Sequence, residues 1–148
     1  MDVGEYTNSK GGISMAKKIS HIGIAVKDLA SAEALFSTLL SDDDVHHEVV
    51  EDQGVRIASF KVGESVIELT APLDESSPIS KFIAKRGEGI HHVAFEVDDV
   101  ASELSRLKSK GMQLIDEAPR AGAHEMQIAF LHPKSTNGVL VELCEHKK

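Results

Sequence analysis

The chain has a single cysteine, no apolar run near the length of a membrane span, and fewer basic than acidic residues. One cysteine, Cys144, excludes an internal disulfide and suits a reducing compartment. A bilayer-spanning helix needs about 20 apolar residues, so no membrane association is expected. Lysine and arginine number 16 against 24 aspartates and glutamates, a formal net charge of −8. A nonspecific nucleic-acid binder needs a basic face, so nucleic acid is not an expected partner either. The first eighteen residues lack the apolar segment of a secretory signal and the arginines of a transit peptide. The expected location is the cytoplasm. Residues 1–17 are expected to be a flexible leader, with Met15 a plausible alternative start.

What remains is enough for one domain. The chain has 148 residues, 41% of them hydrophobic, sufficient for a core of its own. It also repeats itself. HIGIAVKDLASAEAL, starting at His21, has a counterpart about seventy residues on in HVAFEVDDVASELSRL, starting at His92. VIEL, from Val66, has its counterpart in LVEL, from Leu140, so Glu68 matches Glu142.

Alternation predicts strands at 19–26, 45–50, 55–62 and 65–70, and helical spacing predicts an amphipathic helix over 29–40 behind an Asp28 cap. Ser77 before Pro78 starts a short helix that runs to about Arg86. The second copy predicts strands at 90–97, 112–116, 124–131 and 139–145, a helix over 100–110 capped by Asp98 or Asp99, and a loop at 117–122. Gly111 stands where a left-handed residue closes a helix.

The expected fold is therefore α+β, with two tandem βαβββ modules forming a curved mixed sheet around a cavity. One domain covers residues 18–146. Module 1 spans about 18–76, a helical connection 77–88, and module 2 about 89–146. Two such modules about a pseudo-twofold would bring His21, Glu68, His92 and Glu142 together. Glu68 and Glu142 lie inside apolar strands, where a carboxylate is costly unless paired or metal-bound. Two imidazoles and two carboxylates suit Co, Ni, Mn, Fe or Zn rather than an all-oxygen calcium cage. The other histidines, at 46, 47, 91, 124, 132 and 146, are expected to be structural or solvent-facing. His91 is expected on the face opposite His92, and His124 near the border of the cavity.

The repeat and the His…Glu…His…Glu order resemble the vicinal oxygen chelate, or glyoxalase, superfamily. Three motifs, ISHIGIAVKDL (19–29), SPISKFIAKRGEGIHHVAFEVDD (77–99) and IAFLHPKSTNGVLVEL (128–143), are similar to those of the methylmalonyl-CoA epimerases within it. That resemblance covers about residues 18–145. It implies a homodimeric isomerase acting on an acyl-CoA, the interconversion of (2R)- and (2S)-methylmalonyl-CoA. It also implies a divalent metal, Co2+ first, with Mn2+, Ni2+ or Zn2+ as alternatives. His21, Glu68, His92 and Glu142 would be the ligands.

Some members of that family carry an additional glutamate on the strand after a QG turn. Here Gln53 and Gly54 are followed by Val55, Arg56, Ile57 and Ala58, with no acid. Glu68 stands where those members have a glutamine ligand. Glu68 and Glu142 are therefore the expected acid/base pair, one for each face of C2. Arg120, Gly122, Ala123, Lys134, Ser135 and Gly138 are the expected substrate contacts, and Lys85 and Arg86 further candidates for the CoA phosphates. Two other readings remain open: a glyoxalase I-type lactoylglutathione lyase, and a small-molecule-binding protein of the same fold.

Overall fold

The computed structural model describes residues 16–146. The leader expected at residues 1–17 lies almost wholly outside them. The elements run β1 (Lys18–Ala25), α1 (Leu29–Leu40), β2 (His46–Val50), β3 (Val55–Val62), β4 (Ser65–Pro72), α2 (Pro78–Arg86), β5 (Gly89–Glu96), α3 (Val100–Ser109), β6 (Arg120–Ala121), β7 (Met126–Leu131) and β8 (Val141–His146). The strands form one curled sheet in the order β2-β3-β4-β1-β5-β8-β7-β6. The two halves of that order mirror one another, and the seam between them is the antiparallel β1–β5 pair. The parallel pairs β1–β4 and β5–β8 flank the seam symmetrically.

Local signals place the helices. Asp28 accepts from the Ser31 N–H and Asp99 from the Ser102 N–H, each capping a helix at its first turn. Ser77 accepts from the Ile79 N–H, with Pro78 at the first helical position. Gly111, at φ 91, follows α3 as expected.

The two faces of the sheet divide the labour. On the helical face, α1 packs Leu29, Ala32 and Phe36 against Ala58, Phe60 and Leu69. Around α3, Val100 and Leu104 meet Ala129, Leu131 and Leu143. On the other face Ile79 of α2 meets Ala25, Val55 and Ile57, and Ala94, Met126, Ile128, Phe130 and Cys144 form a further cluster. The functional side chains share this second face.

Three expectations need correction. The expected strand at 112–116 is absent; only an isolated bridge from Leu114 to Leu131 survives, and the sixth strand is Arg120–Ala121, in the segment read as a loop. Cross-strand pairing of Arg120 with Ile128 and Ala121 with Gln127 decides this, and no local propensity reports it. Strand β7 begins at Met126, with His124 in a tight turn before it. The periodic apolar row of α1 also does not all face inward. Leu35 is 65% exposed and Leu39 68%.

Candidate metal centre

A row of paired residues crosses the functional face. His46 of β2 pairs with Ser59 of β3, Ser59 with Glu68 of β4, Glu68 with Gly23 of β1, and Gly23 with His92 of β5. Because side chains alternate along a strand, His21 lies two residues from Gly23 on this same face. On the far side of the seam Ala94 pairs with Glu142, which puts Glu142 of β8 on it too. Glu68, His21, His92 and Glu142 thus come from four adjacent strands, one imidazole and one carboxylate from each module. Gly23 makes the approach possible. A methyl group there would lie 2.0 Å from Cε1 of His92, so only glycine leaves room for the ring.

The four groups converge. His21 Nε2 is 2.8 Å from Glu142 Oε2 and 3.3 Å from Glu68 Oε2. The His21 and His92 rings meet edge-on with centroids 5.2 Å apart. One ligand atom from each of His21, Glu68 and His92 lies within 4.8 Å of the others, and His21, Glu142 and Cys144 form a second overlapping group. All four of the expected ligands are buried, Glu68 to 2% and Glu142 to 3% exposure.

Burial sharpens the chemistry. Glu103, the other buried carboxylate among the described residues, contacts the Arg106 guanidinium. Among the described residues no lysine or arginine pairs with Glu68 or Glu142; their near partners are imidazoles. The Glu142 Oε2 contact with His21 is short yet lacks the alignment of a hydrogen bond, and Glu68 Oε1 also has no hydrogen-bond partner. Buried polar atoms are normally satisfied. Carboxylate and imidazole lone pairs gathered without mutual hydrogen bonds, and without a fixed cation, fit a divalent ion. The nitrogen–oxygen donor set fits a borderline first-row metal. Ser20 Oγ sits 3.1 Å from His21 Nδ1. A proton on Nδ1 donated to that hydroxyl leaves the Nε2 lone pair for a metal, the usual second-shell arrangement.

Electrostatics divide the histidines. Burial alone would lower the His21 pKa, but the Glu142 and Glu68 carboxylates outweigh it and hold the value above the ordinary one. His92 goes the other way, pushed down by burial to about 3 against the pull of Glu142. It is therefore neutral at physiological pH, the form that ligates metal. Burial raises the Cys144 thiol to about 12, so Cys144 is a protonated neighbour of the cluster.

Two histidines read as structural stand at the site. His124 Nε2 lies 3.2 Å from Glu68 Oε1 and 3.4 Å from Ser59 Oγ. Contact with the Glu68 carboxylate raises its pKa despite partial burial. His91 was expected on the opposite face from His92, yet its Nδ1 is 2.9 Å from His92 Nδ1. The pairing of β5 with β1 jumps from His92–Gly23 to Ile90–Ile24. That bulge leaves His91 without a cross-strand partner and breaks the alternation. Its ring packs edge-on against Phe82, and burial lowers its pKa to about 4. His46 and His47 lie exposed on the edge strand as expected, His132 accepts from the Lys134 N–H in its turn, and His146 pairs with Glu96 at 2.8 Å.

The expected substrate contacts separate into two sets. A cavity of about 220 Å3 opens beside the cluster, bordered by His91, His92, Arg120, Phe130 and Leu140. The Arg120 guanidinium lies 5.5 Å over the Phe130 ring, and its Nε is 3.2 Å from Asp116. Gly138 borders an adjoining depression with His91, His92 and Arg86. Gly122 packs so closely on Ile128 that a Cβ would clash at 2.6 Å, and Ala123 packs against the α2 core. Lys134 instead lines a separate groove with Lys108 and Gln113. The Ser135 hydroxyl is used there too, accepting from the Gln113 N–H at 2.8 Å. Lys85 borders neither opening.

Residues 20–130 match the family model described as glyoxalase/bleomycin resistance protein/dioxygenase superfamily. The ethylmalonyl-CoA/methylmalonyl-CoA epimerase of Cereibacter sphaeroides is 38% identical over 131 residues, which cover 87% of this chain and 98% of that protein. The crystal structure of methylmalonyl-CoA epimerase from Mycobacterium tuberculosis superposes with a TM-score of 0.87 at 41% identity, covering 95% of each chain. A methylmalonyl-CoA epimerase in complex with methylmalonyl-CoA and ammonium superposes with a TM-score of 0.85 at 38% identity, covering 89% of this chain and 96% of that one.

Proposed function

We propose that this chain, which belongs to the glyoxalase/bleomycin resistance protein/dioxygenase superfamily, interconverts (2R)- and (2S)-methylmalonyl-CoA by moving the proton on C2 from one face to the other. The relatives' epimerase names support the isomerase class. The observation that carries the reading is the arrival of two buried carboxylates, one from each module, at a single imidazole nitrogen.

His21, Glu68, His92 and Glu142 would hold the divalent ion, Co2+ first and Mn2+, Ni2+ or Zn2+ by the same donors. Such an ion supplies Lewis-acid stabilisation of the negative charge that appears when the C2 proton leaves. The proton transfers fall to the protein. Glu68 turns Oε2 towards His21 and leaves Oε1 on the side of His124; Oε1 is the atom that takes or returns the proton on that face. Glu142 turns Oε2 towards His21 from the other module, so its second oxygen serves the opposite face. Two bases on opposite faces are what an epimerase needs and what a one-face isomerase does not.

Arg120 and Gly138 keep their assignment as substrate contacts because both border openings beside His92. Arg120 is placed to meet an acyl carboxylate, with Gly122 and Ala123 following it in the chain. Lys134 and Ser135, also expected contacts, lie in the separate groove with Lys108 and Gln113. The same reading makes the chain a cytoplasmic homodimer, with the exposed Leu35, Leu39 and Ile90 as candidates for covered surface.

The deciding experiment follows the C2 proton. Metal-loaded protein is incubated with one epimer of methylmalonyl-CoA in D2O, beside an EDTA-treated control. Metal-dependent deuterium uptake with racemisation is expected. No exchange with one metal bound would sink the epimerase and send the site to glyoxalase-type chemistry, checked with the methylglyoxal–glutathione hemithioacetal.

A further inference from the structure

We propose a second divalent-cation site at the edge of the sheet, formed by His46, Glu48 and His124. One ligand atom from each of the three lies within 4.8 Å of the others. The site is independent of the epimerase reading and uses none of the four central ligands.

The edge strand supplies a chelating pair. His46 and Glu48 are two residues apart on β2 and so share a face. It is the functional face, because His46 pairs with Ser59 and Glu48 with Ile57. His47 points the other way and is paired with Glu33 of α1 at 2.8 Å. The third group comes from the turn before β7. The His124 ring lies against the His46 ring with centroids 5.1 Å apart and planes tilted by 33°. Glu48 Oε1 accepts from the His124 N–H at 3.0 Å and lies 3.4 Å from His46 Nε2.

Two features set this group apart from an incidental surface pair. The His124 backbone is held in the left-handed region, at φ 56, and Glu125 follows at φ 58. Consecutive non-glycine residues there are strained, and such strain collects where a side chain must be aimed. Here it aims an imidazole at a second imidazole and a carboxylate 76 residues away in the chain. The other exposed histidine pairs, His47–Glu33 and His146–Glu96, have one imidazole each. Two histidines and one glutamate make the donor set of an open zinc site, with three protein ligands and room for water. Zn2+ and its neighbours Co2+ and Ni2+ are the class of ion it would take. His124 also touches Glu68, so this site adjoins the central one.

The test counts metal. Metal-free full-length protein is titrated with Zn2+, freed of excess by gel filtration, and its bound zinc measured by elemental mass spectrometry, with Co2+ absorption as a second readout. Two equivalents are expected for the wild type and for the control His47→Ala. His46→Ala and Glu48→Gln should each hold one, with unchanged far-UV circular dichroism, since His46 is an exposed edge residue. His92→Ala should lose the other equivalent and identifies the central site separately. Two equivalents retained by His46→Ala, or a wild-type chain that binds a single equivalent insensitive to His46→Ala, would overturn the proposal.

Discussion

Gly23 and His92 face each other across the β1–β5 seam, and the imidazole fills the space a methyl group at position 23 would need. The glycine in HIG is thus a steric condition for the placement of the His92 ring. In Gly23→Ala the ring must move or the strands must part. Overpacking of this kind costs about 1–3 kcal/mol. A lower melting temperature and loss of tight metal retention are expected together, checked by calorimetry and metal analysis. Full metal content in a folded Gly23→Ala protein would show that His92 is not a ligand.

Glu68 and Glu142 can be separated by isosteric substitution. A glutamine keeps an oxygen for the ion but cannot carry the C2 proton. Glu68→Gln and Glu142→Gln are each expected to retain metal while epimerisation falls about 10²–10⁴-fold, the usual worth of a general base. Each variant should still exchange the C2 proton of one epimer with solvent, and the two should prefer opposite epimers. Glu68→Gln with near-wild-type turnover and metal bound would defeat the two-glutamate scheme.

The metal-free protein carries a pH signature with opposing limbs. Below about pH 6.5 the unfolded chain protonates His91 and His92, whereas the folded chain holds them neutral down to about 4 and about 3. The unfolded state then binds more protons, so stability falls as pH drops through that window. His92 alone contributes about 1.4 kcal/mol per pH unit. His21 and His124 are shifted upward. Their contribution is full below about 6.5, by the ordinary histidine value, and is lost as pH rises through their folded values. The histidine contribution therefore peaks near pH 6.5. Urea melts of EDTA-treated protein from pH 4.5 to 8.5 check this, and a monotonic rise across that range would contradict it.

Cys144 should be silent until the fold opens. It is fully buried, and its thiol is pushed up to about 12. The thiolate is the reactive species. Native protein is expected to resist a thiol-specific disulfide reagent, and denatured protein to react with one equivalent. Rapid native labelling would mean that the β8 strand carrying Glu142 frays.

Much of this was legible because it is local. Helix α1 runs over the residues the periodicity indicates and α2 over those the Ser77–Pro78 signal indicates, since Asp28 and Ser77 cap them through neighbouring N–H groups. Strand β3 matches because the Gly63 turn closes it. The meeting of His21, Glu68, His92 and Glu142 was legible for another reason, the repeat, which turns weak single-residue signals into a joint one. What escaped depends on tertiary pairing. The 112–116 segment has strand-like residues but meets β7 only through Leu114. His91 depends on a bulge that its own alternation does not announce. His124 reaches Glu68 through a left-handed backbone at a residue that is not glycine, and nothing in the Gly-Ala-His-Glu string signals it.

The mirrored strand order has a mechanical consequence. Glu68 and His21 belong to one half of the sheet and His92 and Glu142 to the other, so an ion held by all four would be a staple across the β1–β5 seam. Neither half owns a complete set of ligands. Loosening either one would then release the ion, and a loaded protein would open both halves together.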